Sequence, residues 1–165
     1  MLKPEFRNLL VEALGTFFLC YLGGISVYTA SYKNDELSTS PYPTNLTNIM
    51  VAHGGILFII IVWGGPISGA HVNPAVSVAL MAIGECPPIK GGLYIAAQFV
   101  GSLLAGAAMK MTMPSGGVKD AKGDIQPIYH SPLLDSRVSS VQGFFLEFFG
   151  TMCLLIAILT AVRTT

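Results

Sequence analysis

The sequence predicts an all-α membrane protein, an inverted-repeat helical bundle that contains one re-entrant half-helix. Three observations support this fold class: long apolar runs, one apolar run of about half their length between helix breakers, and a short motif that occurs twice. Hydrophobic residues make up 52% of the 165 residues and charged residues 11%, against roughly 25% charged residues in a soluble domain. With 9 basic and 9 acidic residues the formal net charge is zero, so the charge balance does not favour nucleic acid as a partner.

Four apolar runs have, or approach, the length of a membrane span. They cover Leu9–Ala30, Ile49–Gly65, Gly91–Met113 and Val141–Val162. A helix needs about 20 apolar residues to cross the hydrocarbon layer, and these runs lack the regularly spaced polar residues of a soluble four-helix bundle. The first run is longer than the apolar core of a signal peptide and contains Glu12, so we interpret it as a retained helix.

A fifth apolar run, Asn73–Ile83, has only 11 residues and would form a helix about half a bilayer long. Helix breakers stand on both sides of it, at Gly64-Gly65-Pro66 and between Gly84 and Pro88. This arrangement predicts a segment that enters the membrane and returns on the same side. Non-helical backbone at membrane depth needs either protein or a water-filled cavity around it, so the segment also predicts a cavity.

The motif Glu-x-x-Gly-Thr begins at Glu12 and again, 135 residues later, at Glu147. Each copy opens a predicted span, and the odd number of spans between them implies two halves of inverted topology. We therefore divide the chain into a first repeat, residues 1–139, and the first span of a second repeat, residues 140–165. The same spacing would put a second re-entrant motif near position 208, so we expect this sequence to be part of a longer protein, with a natural truncation as the alternative.

The tripeptide Asn73-Pro74-Ala75 is typical of a helix start. Asn is a favoured N-cap residue, and Pro suits the next position, which needs no N–H donor. With its oxygen engaged, the Asn73 amide still has N–H donors to offer, and the helix N-terminus adds partial positive charge. An ordinary helix cap would explain the tripeptide alone. Together with the breakers and the repeat, it predicts a site that binds the oxygen of a neutral solute and repels cations.

The run Ser68–Val76, with the sequence SGAHVNPAV, resembles the signature of the major intrinsic protein family, the aquaporins and glycerol facilitators. The resemblance covers the whole chain, including LYIAAQ in the third long span and both copies of the Glu-x-x-Gly-Thr motif. It implies six spans, two half-helices that meet at mid-membrane, one pore per protomer and a homotetramer. The fifth and sixth spans, the second Asn-Pro-Ala loop and the pore arginine have no counterpart in this sequence. The residues that the resemblance puts at the pore are Gly69, Ala70, His71, Val72 and Asn73, with the first four offering backbone carbonyls.

His53 lies in the second span, 20 residues before Asn73. An ionisable residue within a membrane is costly to bury and is therefore a functional candidate. Its position resembles one corner of the family's aromatic/arginine constriction, where water channels usually have Phe and glycerol facilitators Trp. Histidine there resembles the plant vacuolar members, which implies passage of ammonia, hydrogen peroxide or urea. The alternative is a packed core histidine.

Glu12 and Glu147 each precede a Thr by one helical turn. We predict that each carboxylate accepts backbone N–H bonds from a re-entrant loop, whose donors have no water available. A catalytic carboxylate pair is disfavoured because no nucleophile or metal set accompanies it. For His71 we favour a structural hydrogen bond over a gate driven by protonation. In the third long span, the small residues Gly92, Ala96, Gly101 and Ala105 predict close helix packing.

The predicted function is a passive channel for water, with ammonia, hydrogen peroxide or other small neutral solutes as further substrates. The alternative is a non-conducting structural or regulatory membrane subunit. Neither an enzyme nor a cofactor or metal is predicted, and Cys20, Cys86 and Cys153 lack redox or ligand spacing. Basic residues divide four against five between the two sides, which fixes no orientation. We expect either a plasma membrane or an internal, vacuole-like membrane. Asn45 is a glycosylation candidate only if its loop faces outward.

Overall fold

The computed structural model describes residues 3–31, 46–113, 118–119, 125–126 and 138–164. Four long helices and one short helix make up nearly all of the described residues. The glycosylation candidate Asn45 lies outside them. The helices are α1 (Pro4–Ser31), α2 (Leu46–Ser68), α3 (Pro74–Ala82), α4 (Pro88–Thr112) and α5 (Ser140–Thr164). Two strands of two residues each, β1 (Val118–Lys119) and β2 (Ile125–Gln126), pair antiparallel between α4 and α5.

The four long helices are apolar enough to cross a membrane, which confirms the all-helical membrane fold. Helix α2 differs from the prediction because it continues through Gly64, Gly65 and Pro66 to Ser68. Pro66 cannot donate to the carbonyl of Val62, yet the helix continues for two further residues. The helix ends instead where Gly69 takes a φ of 96°, a conformation that side chains disfavour. The turn to α3 is therefore shorter than the sequence indicated.

Helix α1 packs against both α2 and α4. It approaches α4 closely at Gly101, where a Cβ atom would lie 2.2 Å from the carbonyl oxygen of Ala13. The face of α4 that is buried consists of Gly91, Tyr94, Gln98, Gly101, Ala105 and Met109. The expectation for Gly92 and Ala96 was wrong, because both are exposed. Gly91, about 100° around the helix from Gly92, makes the contact instead, against the side chain of Met81.

The short helix α3 packs against α4 and α5. Its buried side chains Val76 and Leu80 form a cluster with Cys86, to which Leu155 and Ile158 of α5 add apolar contacts. This packing fixes the N-terminus of α3 beside the α1–α2 pair, where the segment between α2 and α3 lies.

Candidate pore site

The segment of residues 69–73, called here the α2–α3 segment, has an unusual backbone. Gly69, Ala70 and Val72 have φ angles of 96°, 46° and 39°. Side chains disfavour this left-handed region, at a cost on the order of 1–3 kcal/mol per residue. The conformation at Ala70 and Val72 therefore depends on contacts from the surrounding helices.

Glu12 of α1 supplies most of these contacts and is fully buried, with 0% exposure. Its Oε1 accepts from the backbone N–H of His71 at 3.0 Å, and its Oε2 accepts from that of Val72 at 2.8 Å. Ser68 Oγ donates to Glu12 Oε1 at 2.6 Å and accepts from the N–H of Ala70 at 3.0 Å. A carboxylate withdrawn from water needs such donors, and charged hydrogen bonds are the strong ones. Glu12 and Ser68 thus hold three consecutive N–H groups of the segment.

Four carbonyl groups of the same segment differ from its N–H groups, while the fifth, that of Asn73, accepts from the N–H of Ser77 at 3.1 Å. Within the described residues no hydrogen bond reaches the carbonyl oxygens of residues 69–72. Tyr94 Oη donates to the preceding carbonyl, that of Ser68, at 2.8 Å. The free row of acceptors therefore begins after the end of α2.

Asn73 caps α3 with φ −152° and ψ 126°, and its Oδ1 accepts from the N–H of Ala75 at 2.9 Å. Pro74 occupies the first helical position. The Nδ2 atom of Asn73 makes no hydrogen bond in the part of the chain that the structure describes, so its two N–H donors remain available. The α3 N-terminus adds partial positive charge at the same point. Donors and positive potential thus follow directly after the row of acceptors.

A cavity of about 250 Å³ adjoins the α2–α3 segment, and all five residues of the segment line it. The rest of its wall is apolar and comes from α1, α2, α3 and α5, including Leu19, Leu57, Ile61 and Ile158. The sequence-predicted residues Gly69, Ala70, His71, Val72 and Asn73 therefore meet on one surface.

His53 is not in the wall of this cavity. It lies on α2 one helical turn before Leu57, which is part of the wall. Its Nδ1 is 2.9 Å from the carbonyl oxygen of Ile49. Since a carbonyl only accepts, Nδ1 carries the proton, and Nε2 is an acceptor in the neutral ring. A Cβ atom at Gly23 would lie 2.6 Å from this Nε2, so the half-buried ring packs against α1.

Four polar residues of the site were not singled out from the sequence: Ser68, Ser77, Tyr94 and Gln98. Gln98 Nε2 donates to Glu12 Oε2 at 2.9 Å and to Ser77 Oγ at 3.1 Å. The signal that could have found two of them is the one-turn spacing of Tyr94 and Gln98 within a predicted membrane span.

His71 lies between the spanning helices and is buried. Its Nδ1 is 3.1 Å from Ser77 Oγ, and its ring meets the Tyr94 ring edge-on at 5.0 Å between ring centres. Burial lowers the pKa of the imidazole, and the Glu12 carboxylate partly opposes this effect, while Lys90 adds to it. Neutral His71 is the form that this environment favours.

Glu147, in contrast, is exposed on α5 and lies in an open apolar groove with Phe144, Phe148 and Thr151. It bonds to no loop backbone in the described parts of the chain, so the loop-anchoring role assigned to it stays a prediction. Nor do the described ranges contain three His, Cys, Asp or Glu side chains grouped to hold a metal ion. The three cysteines are free thiols.

Comparison with known proteins adds independent information. Residues 2–165 match the sequence profile of the major intrinsic proteins. The chain is 33% identical to Aquaporin NIP1-1 of Arabidopsis thaliana, over 94% of this chain and 49% of that protein. It is 32% identical to Aquaporin-8 of Botryotinia fuckeliana over 98% of this chain and 49% of that protein. A probable aquaporin of TIP type from Medicago truncatula is 32% identical over 69% of this chain and 46% of its own length. The chain spans about half the length of the curated relatives it matches.

Proposed function

The chain belongs to the major intrinsic protein family, and from this premise we propose that it forms half of the wall of a passive transmembrane pore. Members of this family are channels and not enzymes. The proposed permeants are water and other small neutral molecules. The observation that carries this proposal is the row of carbonyls at residues 69–72, which ends at the amide donors of Asn73 beside a cavity. Neither the carbonyls nor these donors are bonded within the described ranges.

This arrangement suits a neutral molecule with both donors and acceptors. Water that enters the cavity can donate to successive carbonyls and accept from Asn73, so it does not lose all the hydrogen bonds that it made in bulk solvent. A cation gains less, because the α3 N-terminus is positive and both carboxylate oxygens of Glu12 are already bonded behind the segment. Selectivity of this kind needs no moving part.

The proposal gives each site residue a role. Gly69, Ala70, His71 and Val72 supply the acceptors, while Asn73, Pro74 and Ala75 form the helix start that ends the row. Glu12 anchors the segment, and Glu147 would anchor its counterpart in the second half. Residues 1–139 make up the first repeat, and residues 140–165 open the second. The proposed assembly is a homotetramer in which every protomer has its own pore.

His53 is proposed to line the constriction above the cavity. It lies on α2 one turn from the cavity wall, and its ring is smaller than Phe or Trp. An imidazole offers a hydrogen bond that an apolar ring lacks, so ammonia or hydrogen peroxide can replace a water there without losing every partner. The geometry therefore supports a pore that is wider and more polar than one with Phe at this position.

We expect His53→Phe to lower ammonia and hydrogen peroxide permeation while water flux stays close to that of the parent. His53→Ala, which widens the constriction, should increase urea or glycerol permeation. Stopped-flow swelling of vesicles that contain the intact protein measures each solute separately. Val51→Phe is the matched control, since this neighbouring α2 side chain is 68% exposed and should not alter any flux.

Two outcomes would count against these proposals in different ways. If the parent protein moves no water faster than empty vesicles do, the channel function fails and a non-conducting role is favoured. If the parent conducts but both His53 variants match it for every solute, the channel stands and His53 is a packing residue.

A further inference from the structure

Four polar side chains form a continuous row behind the α2–α3 segment. The row runs from Glu12 on α1 through Gln98 on α4 and Ser77 on α3 to His71. Gln98 Nε2 is 2.9 Å from Glu12 Oε2 and 3.1 Å from Ser77 Oγ, and Ser77 Oγ is 3.1 Å from His71 Nδ1. Glu12 and Ser77 are 0% exposed and Gln98 is 1% exposed, so no bulk water supplies alternative partners.

Glu12 determines how the Gln98 amide is turned. The carboxylate can only accept, so the amide atom 2.9 Å from it is the NH₂ group and not the carbonyl oxygen. The same NH₂ group then has its second hydrogen for Ser77 Oγ. At this contact Ser77 is the acceptor.

The single proton of the Ser77 hydroxyl must therefore be donated elsewhere. Within the described residues the Ser77 hydroxyl has two hydrogen-bond neighbours, Gln98 Nε2 and His71 Nδ1. Gln98 Nε2 is itself a donor, so His71 Nδ1 is the neighbour that can accept the proton. If His71 carried a proton on Nδ1, the hydroxyl would accept twice and its own proton would be buried without an acceptor. Buried donors are very seldom left in that state.

We propose that Glu12, acting through Gln98 and Ser77, fixes His71 as the neutral tautomer with its proton on Nε2. Ser77 is then a positioning residue that acts on the site through His71. The Nε2 atom makes no hydrogen bond in the described part of the chain, and it lies close to Gly69, which lines the same cavity as His71. The relay thus leaves one N–H donor beside Gly69, where the row of free carbonyls begins.

The tautomer of His71 does not depend on the proposed function, but the use of its N–H group as a donor to a solute rests on it. In a pore, the Nε2–H group of His71 would donate to the oxygen of a solute, the role proposed for the Asn73 amide two residues further along. His53 has the opposite arrangement, because its Nδ1–H donates to the carbonyl of Ile49 and its Nε2 is the acceptor. The two histidines thus differ in which ring nitrogen carries the proton.

The experiment is nitrogen NMR of the intact protein, labelled at histidine and held at a pH where His71 is neutral. The His71 signals are those that vanish in His71→Gln. We expect Nδ1 of the parent to show the shift of an unprotonated nitrogen. Ser77→Ala should raise the ratio of Nδ1-protonated to Nε2-protonated His71 roughly fivefold, the change that one hydrogen bond of ordinary strength produces. Ser77→Thr, which keeps the hydroxyl, should restore the parent signal.

Gln98→Met provides a second variant, because it removes the donor that forces Ser77 to accept while keeping the length of the side chain. It should also produce mixed tautomers, even if Ser77→Ala folds poorly. Ser102→Ala is the matched control, since Ser102 Oγ on α4 donates to the carbonyl of Phe99 at 2.9 Å and takes no part in the relay. A proton on Nδ1 in the parent, or an unchanged tautomer in both relay variants, would overturn the proposal. Because NMR reads the tautomer without any flux, a non-conducting protein would remove the channel function and leave this test intact.

Discussion

Two copies of one motif stand in different surroundings in this protein. Glu12 in α1 is 0% exposed and accepts four hydrogen bonds, whereas Glu147 in α5 is exposed and bonds to no loop backbone among the described residues. The two helices share Glu, Gly and Thr at the same spacing. The difference lies in what packs against them, since among the described residues α1 faces loop N–H groups that need an acceptor and α5 does not.

The glycines of the two copies repeat this contrast. A Cβ atom at Gly15 would lie 2.6 Å from Val72 Cγ1 and 3.1 Å from Ile60 Cγ2, whereas one at Gly150 would meet nothing within 4 Å. The motif therefore combines a carboxylate that holds a loop with a glycine that gives the loop room. The motif therefore acts only where a loop is docked against the helix that carries it.

The largest expected effect is that of Glu12→Ala. It would leave Ser68 Oγ, Gln98 Nε2 and the N–H groups of His71 and Val72 without their acceptor. At about 1–3 kcal/mol for each buried unsatisfied group, we expect the free energy of unfolding to fall by at least about 4 kcal/mol. Glu12→Gln keeps one acceptor oxygen and should cost roughly 1–2 kcal/mol. Denaturant unfolding in detergent, followed by circular dichroism, measures both.

Glu147→Ala is the matched control and should change stability by no more than about 0.5 kcal/mol, as expected for an exposed position. An equally large loss at Glu147 in the intact protein would show that a second loop is docked on α5. A small loss at Glu12, on the other hand, would contradict the anchoring role and the comparison built on it.

The next effect in size is that of Gly15→Ala. The new methyl group would overlap Val72, whose backbone is already held at a φ of 39°, and overpacking of this kind costs on the order of 1–3 kcal/mol. Gly150→Ala has free space and should gain about 0.5–1 kcal/mol from better helix propensity. Thermal unfolding of the two variants side by side gives the sign of each change. If both lower the midpoint equally, α5 is packed as closely as α1 in the intact protein.

Much of the fold followed from the length of the apolar runs. The four long helices and the half-length helix α3 were predicted to within a few residues, because chain length and polarity alone decide whether a helix can cross a membrane. The end of α2 was not predicted. The sequence analysis took Gly64, Gly65 and Pro66 as breakers, but α2 continues through them and ends at Ser68, before the positive φ of Gly69.

The polar residues behind the site could not be placed from the sequence. Ser68, Ser77 and Gln98 come from three different helices, so their meeting depends on packing that sequence spacing does not show. The same holds for the buried face of α4, where Gly91 and Gly92 are adjacent and only the position of Met81 decides which of them makes the contact. Positive φ at Val72 is likewise set by Glu12 from another helix, against the preference of the residue itself.

The smallest expected effect concerns the threonine of the motif. Thr16 is 5% exposed, and its Oγ1 has no hydrogen-bond partner, a state shared within the described residues by Gln98 Oε1. Thr16→Val keeps the shape and removes a buried hydroxyl that makes no bond, so we expect stability to stay the same or rise by up to about 1 kcal/mol. Ser68→Ala is the contrasting variant, because that hydroxyl both donates to Glu12 and accepts from Ala70, and it should lose roughly 1–3 kcal/mol. If Thr16→Val loses as much as Ser68→Ala, the Thr16 hydroxyl has a partner in the folded protein. A buried water shared with Gln98 Oε1 would then be the first arrangement to examine, by comparing Thr16→Val with the Thr16→Val/Gln98→Met double variant.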